Sequence, residues 1–235
     1  MATVSEDDVA VRSTSEDAVG VTPLHPDGSP VLPPPLADHA AHPLDPATTA
    51  VVVVDVQRLF TDLLGVPVDP PLDGMLAATS RFLSEARVAG ATVILVRTVM
   101  APEDHSRNTL HWPDFMRLNL LPGSPGTDFD PAVAPRPGDV EIVKQRYSAF
   151  LGTSLNETLR DRGLTTAVVL GLTTNVCVQS TARDAWQYDY DTITVSDCCS
   201  EVGNGSHEAS LVWTGRNFGR VCTSEEVLSA WRARV

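Results

Sequence analysis

Residues 49–57 read TAVVVVDVQ, a β-branched apolar run that breaks at Asp55. A strand with one wet face alternates apolar and polar residues. A run apolar at every position must be covered on both faces, which is the situation of a parallel strand between two layers of helices. The segment therefore suits a strand buried on both faces of a parallel sheet, with the rest of the domain built around it.

The rest of the chain repeats the theme. A helical spacing of apolar residues over Gly74–Gly90 is followed by a second buried run, Ala91–Thr98. Residues from about 100 to 138 are rich in Pro, Asp and His and are read as loop. That is too long for a mere connection, so the segment is expected to help build a site. Asp139–Lys144 is a third strand. Ser154–Gly163 opens with a Ser and a Glu three residues on, the pattern of a capping box. Thr166–Leu172 is a fourth strand, and a helix over about Asn175–Tyr188 follows. Asp191–Asp197 is a fifth strand, Ser206–Gly219 a helix, Arg220–Thr223 a short sixth strand and Ser224–Arg234 a last helix. Regular alternation of this kind gives a three-layer sandwich, a mostly parallel six-stranded sheet with helices on both faces. Ligands of such folds bind beyond the carboxyl ends of the strands.

Charge and cysteine usage narrow the setting. The net charge of -13 excludes nucleic acid and anionic membrane as partners, because both require basic patches. Residues 1–47 hold eight Asp and Glu against the single base Arg12, and eight of the 18 prolines. Residues 1–45 are read as an acidic, Pro-rich arm and 46–235 as the folded domain. The arm has neither the basic start nor the apolar stretch of a signal peptide, and no run approaches membrane-spanning length. The expectation is a cytoplasmic protein whose four cysteines (177, 198, 199 and 222) are reduced.

Three strand ends carry chemistry. The first ends at Asp55, the third at Lys144, and the fourth runs into the turn that bears Cys177. Singly, such residues are commonplace as a turn cap, a solvated lysine and an inert buried thiol. Together at one sheet edge they form an acid, a cation and a nucleophile. Asp55 can take the thiol proton, Lys144 favours the anionic forms, and the helix N-terminus beneath Cys177 offers free N–H groups to an oxyanion. The reaction class is acyl transfer through a thioester.

The segments VVVVDVQRLF, KQRYSAFLGTSL and GLTTNVCVQSTARDA strongly resemble the cysteine hydrolases of the isochorismatase-like superfamily, the group of N-carbamoylsarcosine amidase, ureidoacrylate amidohydrolase and biuret hydrolase. The resemblance runs from about Thr48 to about Ala233. It implies a catalytic triad of Asp55, Lys144 and Cys177 and a cis peptide at Leu172–Thr173. It also implies an oxyanion hole from the N–H groups of Thr173 and Cys177, and a homodimer or homotetramer. Cys177 speaks against isochorismatase activity proper, which needs no thiol. The loop MAPEDHSRNTLHWPDF has His105 and His111 but not the Asp-x-His pair of nicotinamidases, so neither metal nor other cofactor is expected.

The resemblance then implies hydrolysis of a small terminal amide, ureido or N-carbamoyl substrate with release of ammonia. A nicotinamide-like, lactam or cyclic amide is an alternative, as are a binding protein that has lost turnover and a thiol redox protein. Gln57, two residues after Asp55, would face the same side if it lay on the strand, and could bond the substrate amide or a neighbouring loop. Arg146, beside Tyr147, could clamp a substrate carboxylate or pair with a surface acid. Phe60, Trp112 and Phe115 are candidate pocket walls, and His207 is read as a helix cap or exposed residue.

Overall fold

The computed structural model describes residues 44–111, 113–202 and 206–233. The acidic arm, save Leu44 and Asp45, and Trp112 lie outside the described residues. The first strand, β1 (Thr49–Val54), is buried along its whole length, as its unbroken apolar run requires. It is the centre of the sheet. On one side lie β3 (Thr92–Thr98) and then β4 (Val140–Lys144). On the other lie β5 (Thr166–Leu172) and β6 (Asp191–Val202), with all four of these junctions parallel.

The sheet has seven strands where six are expected. The extra one is β2 (Val68–Asp69), which runs antiparallel to the end of β6. It forms because β6 does not stop at Asp197 but continues to Val202. Its pairing with β5 jumps from Thr194 opposite Val169 to Cys199 opposite Gly171, and past that irregularity it presents a fresh edge to β2. The first half of the same edge pairs in parallel with β7 (Arg220–Cys222).

The crossover β1 to β3 carries α1 (Leu72–Ala89) in one direction across the sheet. The crossover β5 to β6 carries α5 (Gln179–Gln187) in the other. Right-handed connections running in opposite directions put their helices on opposite faces. The C-terminal helix α7 (Ser224–Arg232) joins α1, with Phe82 stacked on Trp231 at 5.8 Å between ring centres. The helix α6 (His207–Asn217) packs with α5. Three layers result, and one apolar core runs through both interfaces.

Local starts differ from expectation in two places. The helix α4 (Leu155–Asp161) lacks the Ser154 cap, and the Thr153 hydroxyl accepts the Leu155 N–H instead. The last helix has its capping box one residue early, with Thr223 and Glu226 bonding reciprocally. The loop from 100 to 138 contains two short helices, α2 (Arg107–His111) and α3 (Pro113–Asn119). No described helix is long and apolar enough to cross a membrane.

Candidate active site

Strand order reverses between β1 and β5. Chain that leaves β1 moves toward β3 and β4, while β5 returns on the far side and leads on to β6. The adjacent ends of β1 and β5 therefore open into a crevice, where open α/β sheets bind their ligands. Asp55 follows the end of β1 and Cys177 lies just beyond the end of β5.

Asp55 is not on the strand. Its φ of 52° is left-handed, a conformation that Asp tolerates better than most residues, and its N–H donates to the Val96 carbonyl at 2.9 Å. The chain thereby turns over the end of β3 and buries the carboxylate completely. Lys144 ends β4, two strands from β1, a gap of about 10 Å at normal strand spacing. Its long side chain spans that distance by passing Thr98, its register partner on β3. Lys144 Nζ stands 2.7 Å from Asp55 Oδ2, donates to Thr98 Oγ1 at 2.9 Å and to the Arg146 carbonyl at 2.9 Å, and reaches Cys177 Sγ at 3.5 Å. The Thr98 hydroxyl donates in turn to Asp55 Oδ1 at 2.9 Å. Among the described residues Oδ2 receives no hydroxyl or amide donor besides the ammonium contact, which leaves a lone pair for a thiol proton.

Cys177 sits in a wide π-type turn, Thr174–Val178, ahead of α5, which begins at Gln179 rather than Asn175. In this turn the Thr173 carbonyl accepts from the N–H groups of Val176 and Val178 and passes over Cys177 between them. The peptide Leu172–Thr173 is cis. Gly171, just before it, has a φ of 122°, and a Cβ there would lie 2.0 Å from the Val54 carbonyl oxygen. Only glycine lets β5 close on β1 at this point.

Lys144 acts to favour the thiolate, but burial works against it more strongly. Burial, above all, pushes the Cys177 thiol up to about 12; Lys144 pulls the other way and Asp55 adds to the rise. The resting thiol is therefore neutral. Burial also works against the Lys144 cation, but Asp55 and Cys177 outweigh it and the ammonium is held above its ordinary range.

Gln57 does not face a substrate. The strand ends at Val54, so period-two spacing no longer applies. Its amide is spent on Thr98 O and Gly126 O, each at 3.1 Å, while Oε1 accepts the Thr98 N–H at 2.7 Å. It clasps the residue that carries the bridging hydroxyl. Arg146 reaches Asp104 at 3.5 Å and donates to the Gln145 carbonyl at 2.7 Å. His207 is neither cap nor exposed. It is buried at the first position of α6, and its Nδ1 lies 2.9 Å from the Thr174 hydroxyl; burial lowers its pKa. Glu201 was not singled out by sequence reasoning, yet its buried carboxylate accepts the Asn175 N–H at 2.7 Å and that of Val202 at 2.9 Å. Thr98 was also missed, since a search for ionisable groups at strand ends passes over a hydroxyl.

Cys177 opens into a cavity of about 360 Å³ that also touches Thr98, Lys144 and Thr173. Phe60, Phe115, Tyr147 and Arg146 line it, together with Leu64, Met100, Leu120, Val176 and Val202. A larger open groove of about 870 Å³ between α6 and the β6–β7 edge does not reach Asp55, Lys144 or Cys177, and so is not the place for this chemistry. His105 and His111 are exposed.

Fold and site together define a three-layer α/β domain with a buried cysteine at its switch point. The isochorismatase domain model matches residues 49–226. The protein belongs to the isochorismatase family. It is 35% identical over 200 residues to ureidoacrylate amidohydrolase RutB of Methylobacterium radiotolerans, covering 76% of this chain and 77% of that one. Among solved structures, a cysteine hydrolase from Pseudomonas syringae is similar at a TM-score of 0.76 and 28% identity, over 83% of this chain and 97% of its own. N-carbamoylsarcosine amidase from Thermoplasma acidophilum matches at a TM-score of 0.65 and 26% identity, over 76% and 97%.

Proposed function

We propose that the protein is a cysteine amidohydrolase that cleaves a small terminal amide, ureido or N-carbamoyl group through a thioester and releases ammonia. The observation that carries this reading is the contact chain Asp55–Lys144–Cys177, whose Lys144 and Cys177 line the cavity, with the ion pair at 2.7 Å and the thiol at 3.5 Å from the ammonium. The names of the family relatives, amidohydrolase and amidase, point the same way.

A thiol held at about 12 does not ionise on its own at neutral pH, so deprotonation accompanies attack. Sγ adds to the substrate carbonyl as Asp55 accepts the thiol proton. Lys144 meanwhile keeps the carboxylate in place and offsets the negative charge in the site. The N–H groups of Thr173 and Cys177 receive the oxyanion. On collapse the carbon–nitrogen bond breaks and Asp55 hands its proton to the departing amine, which leaves as ammonia. Water then enters with Asp55 as base, adds to the thioester, and restores the thiol. An N-carbamoyl substrate would leave an N-substituted carbamate that decomposes to carbon dioxide and the parent amine, the ammonia having left when the thioester formed.

The test is ammonia release from a panel of N-carbamoyl acids, ureidoacrylate, biuret, maleamate, nicotinamide and simple primary amides, with Cys177→Ala alongside. Release that disappears in the variant is the expected result. Release that persists without the thiol would sink the mechanism.

A further inference from the structure

The cavity is unlike a carboxylate-binding site. Phe60, Leu64, Met100, Phe115 and Leu120 line it, and all five belong to a small apolar cluster built on Leu59, Met100 and Leu120. The long loop between β3 and β4 supplies three of these residues: Met100, Phe115 and Leu120. Val176 and Val202 close the nucleophile side.

The two cations described at the cavity each face a carboxylate. Among the described residues that line the cavity only Lys144 and Arg146 are basic. Lys144 is neutralised by Asp55. Arg146 faces Asp104, whose side chain is only 9% exposed and whose carboxylate is locked by the Ser106 hydroxyl at 2.5 Å, the Ser106 N–H at 3.3 Å and the Thr109 hydroxyl. A substrate carboxylate that approached Arg146 would meet Asp104 as well, and would lose its water against an apolar wall. The uncharged side chains of Asn108 and Gln145 also line the cavity and suit an amide or urea.

We propose that this site selects a small uncharged amide or urea whose remaining end is a compact apolar group, and discriminates against carboxylate-bearing ureido acids. The inference rests on the amidase reading and names the substrate class of the same site. The Arg146–Asp104 pair is the gate that excludes a second negative charge.

The test separates binding from turnover. The Cys177→Ala variant, which cannot form the thioester, is titrated calorimetrically with matched compounds. One set is butyramide, isobutyramide and propylurea, the other N-carbamoylglycine and N-carbamoyl-β-alanine. Neutral compounds are expected to bind at least ~10-fold more tightly at neutral pH. Asp104→Asn, placed in the same background, is expected to narrow that ratio by freeing Arg146. Equal or tighter binding of the carboxylates would overturn the inference, as would a ratio that Asp104→Asn leaves unchanged. Ammonia release by the unsubstituted enzyme is measured in parallel. Cys177-dependent release from the carboxylate set alone would overturn the selectivity and leave the amidase reading intact. Cys177-independent release would overturn that reading, whatever the binding ratio.

Discussion

Thr98→Val removes one oxygen and keeps the shape of the side chain. In the native site that oxygen donates to Asp55 Oδ1 and accepts from Lys144 Nζ, both at 2.9 Å, with all three residues buried. Hydrogen bonds to charged groups contribute ~1.5–3 kcal/mol each, and members of one network do not add fully. The expected loss is therefore about 3 kcal/mol rather than the sum of two, because the 2.7 Å ion pair and the Lys144 bond to the Arg146 carbonyl survive. The carboxylate also loses the contact that aims its other oxygen. Misplacement of a base by about 1 Å costs on the order of 100-fold, so kcat should fall by that order while KM changes little. Thr98→Ser is the control. It keeps the hydroxyl and loses only a methyl, at about 1 kcal/mol, so kcat should stay within a few-fold. Urea midpoints and steady-state ammonia release on the three proteins decide the matter. A Thr98→Val enzyme as active as Thr98→Ser would show that the bridge does not position Asp55.

Lys144→Met should cost about 3–5 kcal/mol by leaving a buried carboxylate unpaired. The pair Asp55→Asn with Lys144→Met should regain most of that stability without activity; no recovery in a denaturation midpoint would mean that the two residues are not energetically coupled. Gly171→Ala should cost about 3–5 kcal/mol, since its Cβ would strike the Val54 carbonyl, and an unchanged midpoint would show that the β1–β5 junction yields. Burial raises the Cys198 thiol from 9.0 to about 12 and raises Cys199 in the same direction. An acid raised by folding keeps its proton in the native state while the unfolded chain loses it, so its stability contribution is complete below pH 9 and falls as pH rises toward 12. The slope is about 1.4 kcal/mol per pH unit for each buried thiol, and Cys199→Ala should reduce it measurably in melts between pH 9 and 11.

The sheet was legible because burial on two faces leaves a plain mark: Val51–Val54, Ile94–Val96 and Val168–Leu170 are apolar at every position. The Asp55, Lys144 and Cys177 positions followed from where those runs stop. Side-chain direction beyond a strand end was not legible. Gln57 seemed to share a face with Asp55, but the left-handed turn at Asp55 breaks the alternation on which that reading rests. The end of β6 was hidden for a related reason: residues 197–201 are mixed in polarity because they pass through a pairing irregularity and bond across to the nucleophile turn. His207 looked like a surface residue in a glycine-rich stretch, and only the packing of α6 on that turn shows why a histidine is buried there.

The separation between the sheet and the loop has a chemical consequence. Asp55, Thr98, Lys144 and Cys177 all stand at strand ends, where parallel hydrogen bonding fixes them to one another through β1, β3, β4 and β5. The apolar wall comes instead from the loop and from the segment after β1, and it forms a cluster of its own. Loop and sheet are joined through the Gln57 clasp on Thr98 and Gly126 and through Arg97 of β3, whose guanidinium lies over the Phe129 ring and donates to the Thr127 carbonyl. A change of volume at Phe115 or Leu64 can therefore reshape the substrate end without moving the proton path, whereas the same change at Thr98 cannot. Specificity in this architecture is free to vary where it does not touch the clasp, because the reacting atoms are held by a different part of the molecule.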